Sequence, residues 1–282
     1  MQESQLILLA LSQVLYAGAV ALAMWVIDRG RRDRVPHLAG AVIVSLLGFT
    51  AAGYVALPTA IAGMICYTLI ATVYLALSEY WRRQVRYGGM ALGLLAGFHQ
   101  VPGIDSVPLY SKWWEYGSNL LAFNFALDKA YAGLLLALIA AQFHPQKQSW
   151  RAIWWVPAGV GGLLLLVWLL GFPFRPTVPQ YAAAFVFVNL MQTCFAEELF
   201  FRGALQRELM LYLAPLPAIA IAAVLFGLVH LSRGWEFSLL TMLGGLLHGT
   251  IYRRTGVLSL SVLSHFLVNV AWIMLFPSIG SV

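Results

Sequence analysis

The chain has 282 residues, 61% of them hydrophobic and 10% charged, with a formal net charge of +6. A water-soluble domain carries about 25% charged residues, so this composition excludes a soluble enzyme with a fully solvated surface. The apolar runs are long and continuous rather than alternating in segments of about ten, which excludes a membrane β-barrel and favours helices. The expected fold class is therefore an all-α polytopic membrane protein, integral and multi-pass in the cell (plasma) membrane, with about eight to ten spans.

Residues 5–27 form the first apolar run. Glu3 precedes it and the basic stretch from Asp28 to Arg34 follows it, the reverse of a secretory signal peptide, so it reads as an uncleaved helix with its N-terminus outside. Residues 36–57 and 58–78 are two further spans joined tightly near Pro58, and His37 borders the preceding loop. The segment from Glu79 to Arg86 is a second basic border. Residues 88–104 are short and glycine-rich, end near His99, and are compatible with a span, a re-entrant segment or an interfacial helix. Residues 105–118 carry Asp105, Lys112, Trp113, Trp114, Glu115 and Tyr116, which suit a membrane–water interface. Residues 119–142 read as a span containing Asp128 and Lys129. This pair reads as self-neutralising inside the bundle, with a cavity-lining role as the sharper alternative.

A polar loop at 143–151, with His144 at its border, leads to a span at 152–172. The run from Phe172 to Pro179 is too rich in proline to be helical throughout. Four apolar segments close the chain: 181–201, continuing as a polar-faced helix to about 211, then 214–232, 237–252 and 257–276. The division expected is 1–180, N-terminal helices of unassigned role, and 181–282, a C-terminal core. With ten crossings, all of the Lys and Arg except Lys112, Lys129, Arg175 and Arg233 fall on or near the cytoplasmic side. Cys66 and Cys194 both lie in apolar runs and no CxxC is present, so neither a disulfide framework nor a cysteine zinc site is expected. No basic tract with interleaved aromatics suggests a nucleic-acid partner; the partners expected are the lipid bilayer and a membrane-embedded or lipid-anchored peptide or protein.

Charged side chains inside spanning helices are costly, about 2.5–3.5 kcal/mol each on insertion scales, so those that occur call for a reason. The last four segments hold Glu197-Glu198-x-x-x-Arg202, Phe226-x-x-x-His230, His248 between Gly245 and Gly249, and His265-x-x-x-Asn269. At 3.6 residues per turn Glu198 and Arg202 share a face and Glu197 is turned about 100° away. The first two then read as a structural pair, and Glu197 as the group available for chemistry. If the three faces converge, a carboxylate, two imidazoles and an amide line one cavity. A carboxylate taken out of water is a stronger base, and imidazole and amide donors can stabilise an oxyanion. Glu197, His230 and His265 with a water also make a His₂Glu set of the catalytic-zinc type, although no HExxH is present. No cofactor is expected, with zinc as the alternative. The small-xxx-small pattern around His248 reads as packing.

The ordered motifs EExxxR, FxxxH and HxxxN, each in a separate late segment, resemble the CAAX protease and bacteriocin-processing (CPBP, or Abi) family of glutamic intramembrane endopeptidases. The stretch from Gly245 to Gly256 is similar to that family's glycine-rich segment, and the resemblance covers about 185–275. It implies Glu197 as the general base, with Glu198 and Arg202 holding the first motif. It also implies His230 positioning the water, His265 and Asn269 stabilising the oxyanion, and Phe226 packing beside the water. The substrate implied is a CAAX-type tail, a peptide precursor or a C-terminal sorting segment. Two readings of other classes compete: a proton-coupled transporter, since buried Glu and His also relay protons, and a non-catalytic immunity or scaffold protein. Against the transporter, the sequence shows no internal repeat of the inverted kind common in transporters.

Overall fold

The computed structural model describes residues 3–97, 101–113, 120–143 and 147–276. Among these, the chain forms ten α-helices, counting 182–209 as one helix through its π-helical turns, and one two-stranded antiparallel sheet. Five helices are long and apolar enough to cross a membrane: Glu3–Arg29, Arg32–Ala51, Arg151–Leu169, Ala182–Leu209 and Leu258–Leu275. The chain is an integral membrane protein of helical class. It packs as two compact units that interleave along the sequence: Met1–Pro145 with Met191–Phe200, and Gln146–Leu190 with Phe201–Val282.

The first unit begins with α1 (Glu3–Arg29), α2 (Val35–Ala51) and α3 (Leu57–Val73). Gly30, at φ +60°, closes α1. Proline in the first turn opens both α2 and α3, where its missing N–H costs nothing. α1 and α2 pack closely because Gly48 has no side chain: a Cβ there would lie 2.6 Å from Ser12 Oγ.

α4 (Glu79–Gly97) takes the expected basic border into its first turns rather than leaving it as a loop. The buried Arg86 explains why: its guanidinium pairs with Glu79 at 3.0 Å and donates to the Tyr74 hydroxyl, contacts that a helix spacing allows. Residues 101–105 then return to the α2–α3 connection, where Ala56 N–H bonds Gly103 O and Asp105 N–H bonds Tyr54 O. His99 and residues 114–116 of the expected interfacial belt lie outside the described residues, as does His144.

The expectation of one span over 119–142 is corrected. Residues Leu120–Ala126 form strand β2, paired with β1 (Ser106–Trp113) from Ser106↔Ala126 to Trp113↔Leu120, and helix α5 covers only Leu127–Ala140. An apolar run of this length fits either state by periodicity; pairing with β1, the strand just before it in the chain, decides it. Every residue of α5 except Lys129 is buried, the mark of a core helix rather than a lipid-facing one. Its far end is tied to α3, since Gln142 Nε2 donates to Ile70 O at 3.0 Å.

In the second unit, α6 (Trp155–Leu169) packs Val156 against Ile251, Val257 and Leu260. The proline-rich run after it is not helical, as expected, and is fixed to the end of the last helix: Arg175 N–H donates to Leu275 O and Thr177 N–H to Met274 O. The remaining helices are α7 (Ala182–Leu209), α8 (Pro215–Leu228), α9 (Trp235–Thr255) and α10 (Leu258–Leu275). Gly234 at φ +100° precedes α9, and Gly256 in the left-handed region ends it. Of α7, Met191–Phe200 belongs to the first unit and its flanks belong to the second.

Candidate active site

Phe226 is the centre of the cluster in the second unit. It is buried near the C-terminal end of α8, and four side chains meet its ring. The His230 ring centroid is 4.9 Å away, that of His265 is 5.5 Å away and edge-on, and that of Phe201 is 5.0 Å away and edge-on. The Arg202 guanidinium lies 4.9 Å over the ring. Edge-to-face rings and a cation over a π face are both attractive arrangements. Two motif histidines and the motif arginine therefore share one aromatic neighbour.

His230 is not inside a span as expected. α8 stops at Leu228, and His230 occupies the turn that follows. That turn is stabilised by its own side chain: Nδ1 is 2.7 Å from Phe226 O, a carbonyl at the helix end that has lost its helical partner. The ring is half-buried.

His265, on α10, is almost fully buried and stacks on His248 of α9, with centroids 4.9 Å apart and planes at 19°. Ser264 Oγ donates to Ser261 O, so at the 2.9 Å contact with His248 it is the acceptor, which puts the His248 proton on Nδ1. Ser261 Oγ in turn donates to His248 O. His265 is thus held between the Phe226 ring and the His248 ring. The sequence marked the glycines around His248 as packing, and they do pack: a Cβ at Gly245 would lie 3.0 Å from Ala223 Cα, and one at Gly249 would lie 2.7 Å from Gln206 Oε1. The sequence did not show that His248 itself would touch a motif residue.

Arg202 is fully buried and donates to Gly245 O at 2.8 Å; Gln206, one turn on, donates to Gly249 O at 3.1 Å. The polar side of α7 grips the glycine stripe of α9 through backbone carbonyls that only a glycine surface leaves reachable. Asn269 Nδ2 donates to Asn189 Oδ1 at 3.3 Å. Gln206 and Asn189 were missed in the sequence. Both are polar residues near or inside apolar runs, the same signal that singled out the motif residues.

Glu197 and Glu198 belong to the first unit. Glu198 is fully buried. Glu197 is only 15% exposed in its side chain, and Lys129, 18% exposed, donates to its Oε1 at 2.7 Å. The reading of Asp128 and Lys129 as a self-neutralising pair is corrected here. The Lys129 ammonium is turned to Glu197, while Asp128 Oδ1 accepts the Lys129 backbone N–H at 2.7 Å. Leu199–Gln206 and Asn189–Cys194 are π-helical, on either side of the two glutamates. The 100° per residue used to divide the roles of Glu197, Glu198 and Arg202 does not hold through such turns, which are frequent at functional sites. Among the described residues, no group of three His, Cys, Asp or Glu side chains is arranged to hold a metal ion.

Residues 179–271 match the family described as type II CAAX prenyl endopeptidase Rce1-like. This third of the chain is of the CPBP family. The match takes in all three CPBP motifs, from Glu197 to Asn269, and leaves out the hairpin, α5 and Lys129. No curated protein and no solved structure matches the chain. At the level of the family, the CPBP stretch is that of a CAAX-type endopeptidase.

Proposed function

We propose that the protein is an intramembrane endopeptidase that cuts a membrane-associated peptide by glutamate-activated water. The observation that carries the reading is the packing of Arg202, His230 and His265 around Phe226, inside the stretch that matches the CAAX prenyl endopeptidase family. Ordinary helix glue would not need two histidines and an arginine on one ring.

In this reading Glu197 removes a proton from water as the water oxygen bonds to the scissile carbonyl carbon. His230 orients that water. His265 and Asn269 donate to the oxyanion that forms, a contribution of about 10²–10³ in turnover for each donor. Collapse breaks the C–N bond, and the proton held by Glu197 passes to the leaving amine. Glu198, Arg202 and Phe226 hold these groups in place. The substrate is a prenylated CAAX-type tail, a peptide precursor or a C-terminal sorting segment. No metal or other cofactor takes part.

The test is Glu197→Gln, expressed in membranes and assayed for processing of a candidate substrate. General-base loss costs about 10²–10⁴ in rate. Undiminished processing, with the variant present in the membrane, would falsify the proposal. Activity should also survive a chelator; loss that zinc restores would move the reading to the His₂Glu metal set.

A further inference from the structure

We propose that Lys129 is a positioning residue for Glu197, fixing the orientation of the carboxylate that activates water; this rests on the base role given to Glu197 above. The contact is short, 2.7 Å from Nζ to Oε1, and both side chains are mostly withdrawn from solvent. Lys129 is also the one residue of α5 that is not buried, in a helix otherwise apolar apart from Asp128.

The place of the ammonium is fixed by the backbone on either side of it. One turn along α5 from Lys129, Gly133 lets α7 approach: a Cβ there would lie 3.1 Å from both Ala196 and Phe195. On the other side, Ala126 N–H donates to Gln192 Oε1 at 2.7 Å. From α1, the Tyr16 hydroxyl lies 2.9 Å from Met191 O and 3.3 Å from Ala130 O, so it bridges the two helices. Asp128 Oδ1 holds the Lys129 N–H. Three other ties to α7 lie near the ion pair: the close approach at Gly133 of α5, the Ala126–Gln192 bond from the end of β2, and the Tyr16 bridge from α1. A surface ion pair of two long side chains lacks such a frame and gains little from its geometry. A carboxylate has two oxygens and several acceptor positions; a fixed donor at one oxygen sets the plane in which the other meets water. Lys129 lies 50 residues before the stretch that matches the endopeptidase family, so the family match assigns it nothing.

The experiment uses the full chain in proteoliposomes and a fluorogenic peptide ending in a farnesylated CAAX tetrapeptide. Lys129→Met should lower kcat by about 10²-fold, the scale of a small misplacement of a catalytic group, and leave KM unchanged. Lys129→Arg should recover most of the lost turnover. In a Glu197→Gln background, Lys129→Met should add no further loss, since the two residues act as one unit. Unchanged or raised kcat in Lys129→Met overturns the proposal, and so does a raised KM at constant kcat, which would make Lys129 a substrate contact. Equal rates for the native protein and Glu197→Gln remove the base reading, and this proposal with it. If Lys129→Met fails to accumulate in membranes, Lys129→Leu, which likewise lacks a donor, carries the same comparison.

Discussion

At the scale of single residues, Phe226 shows how little of a side chain's role its own chemistry reveals. It has no polar atom, yet it sets the distance between His230, His265 and Arg202. Replacing it by Ala removes a buried ring, which costs about 3–5 kcal/mol in a packed core. We expect a lowered thermal transition in detergent and loss of activity together. Phe226→Leu keeps most of the apolar contact and loses the π face; it should hold the fold while activity falls, measured as turnover at matched protein in the membrane. Arg202 should not tolerate Lys. The guanidinium both donates to Gly245 O and lies over the ring, and an ammonium has no planar face for the second contact. The motif residues were legible in the sequence because polar groups stand out in apolar runs. Their partners were not: Lys129 and Glu197 are 68 positions apart, and nothing local links them.

At the scale of elements, α7 and the glycine stripe of α9 form a matched pair. Arg202 and Gln206 reach the carbonyls of Gly245 and Gly249, each pair four residues apart. A side chain at Gly245 must push against the Ala223 backbone. Gly245→Val should therefore destabilise by about 1–3 kcal/mol, the usual cost of overpacking. Gly161 in α6 is the control, because a Cβ there meets nothing within 4 Å; Gly161→Ala should be neutral or raise stability by about 0.5–1 kcal/mol through helix propensity alone. Thermal unfolding of the two variants side by side checks both. The break near Pro58 that opens α3 was readable from the sequence. The switch from strand to helix at Leu127 was not, since the apolar run continues unbroken across it and only β1 supplies the partner that stops helix formation.

At the scale of the whole molecule, the family match and the packing units divide the chain differently. The match begins at 179, but the central part of α7, Met191–Phe200, packs within the first unit. Tyr16, Ala126 and Gly133 all meet it there. A fragment of 179–282 therefore lacks the surroundings of Glu197. Expressed alone it should aggregate in detergent on size exclusion, and co-expression with 1–178 should recover a soluble, monodisperse complex. A monodisperse fragment on its own would show that the first unit is dispensable for folding.

The sequence by itself determined that the chain is a helical membrane protein, where its proline breaks fall, and which acids and histidines carry a cost that calls for a function. Those properties are local: hydropathy, backbone restriction and charge act on each segment whatever surrounds it. Tertiary structure alone decided that Lys129 faces Glu197, that His248 lies flat on His265, and that one apolar run divides into a strand and a buried helix. Each of these depends on contact between separate elements, where the energy gained by pairing and packing outweighs any preference written into the residues of one segment.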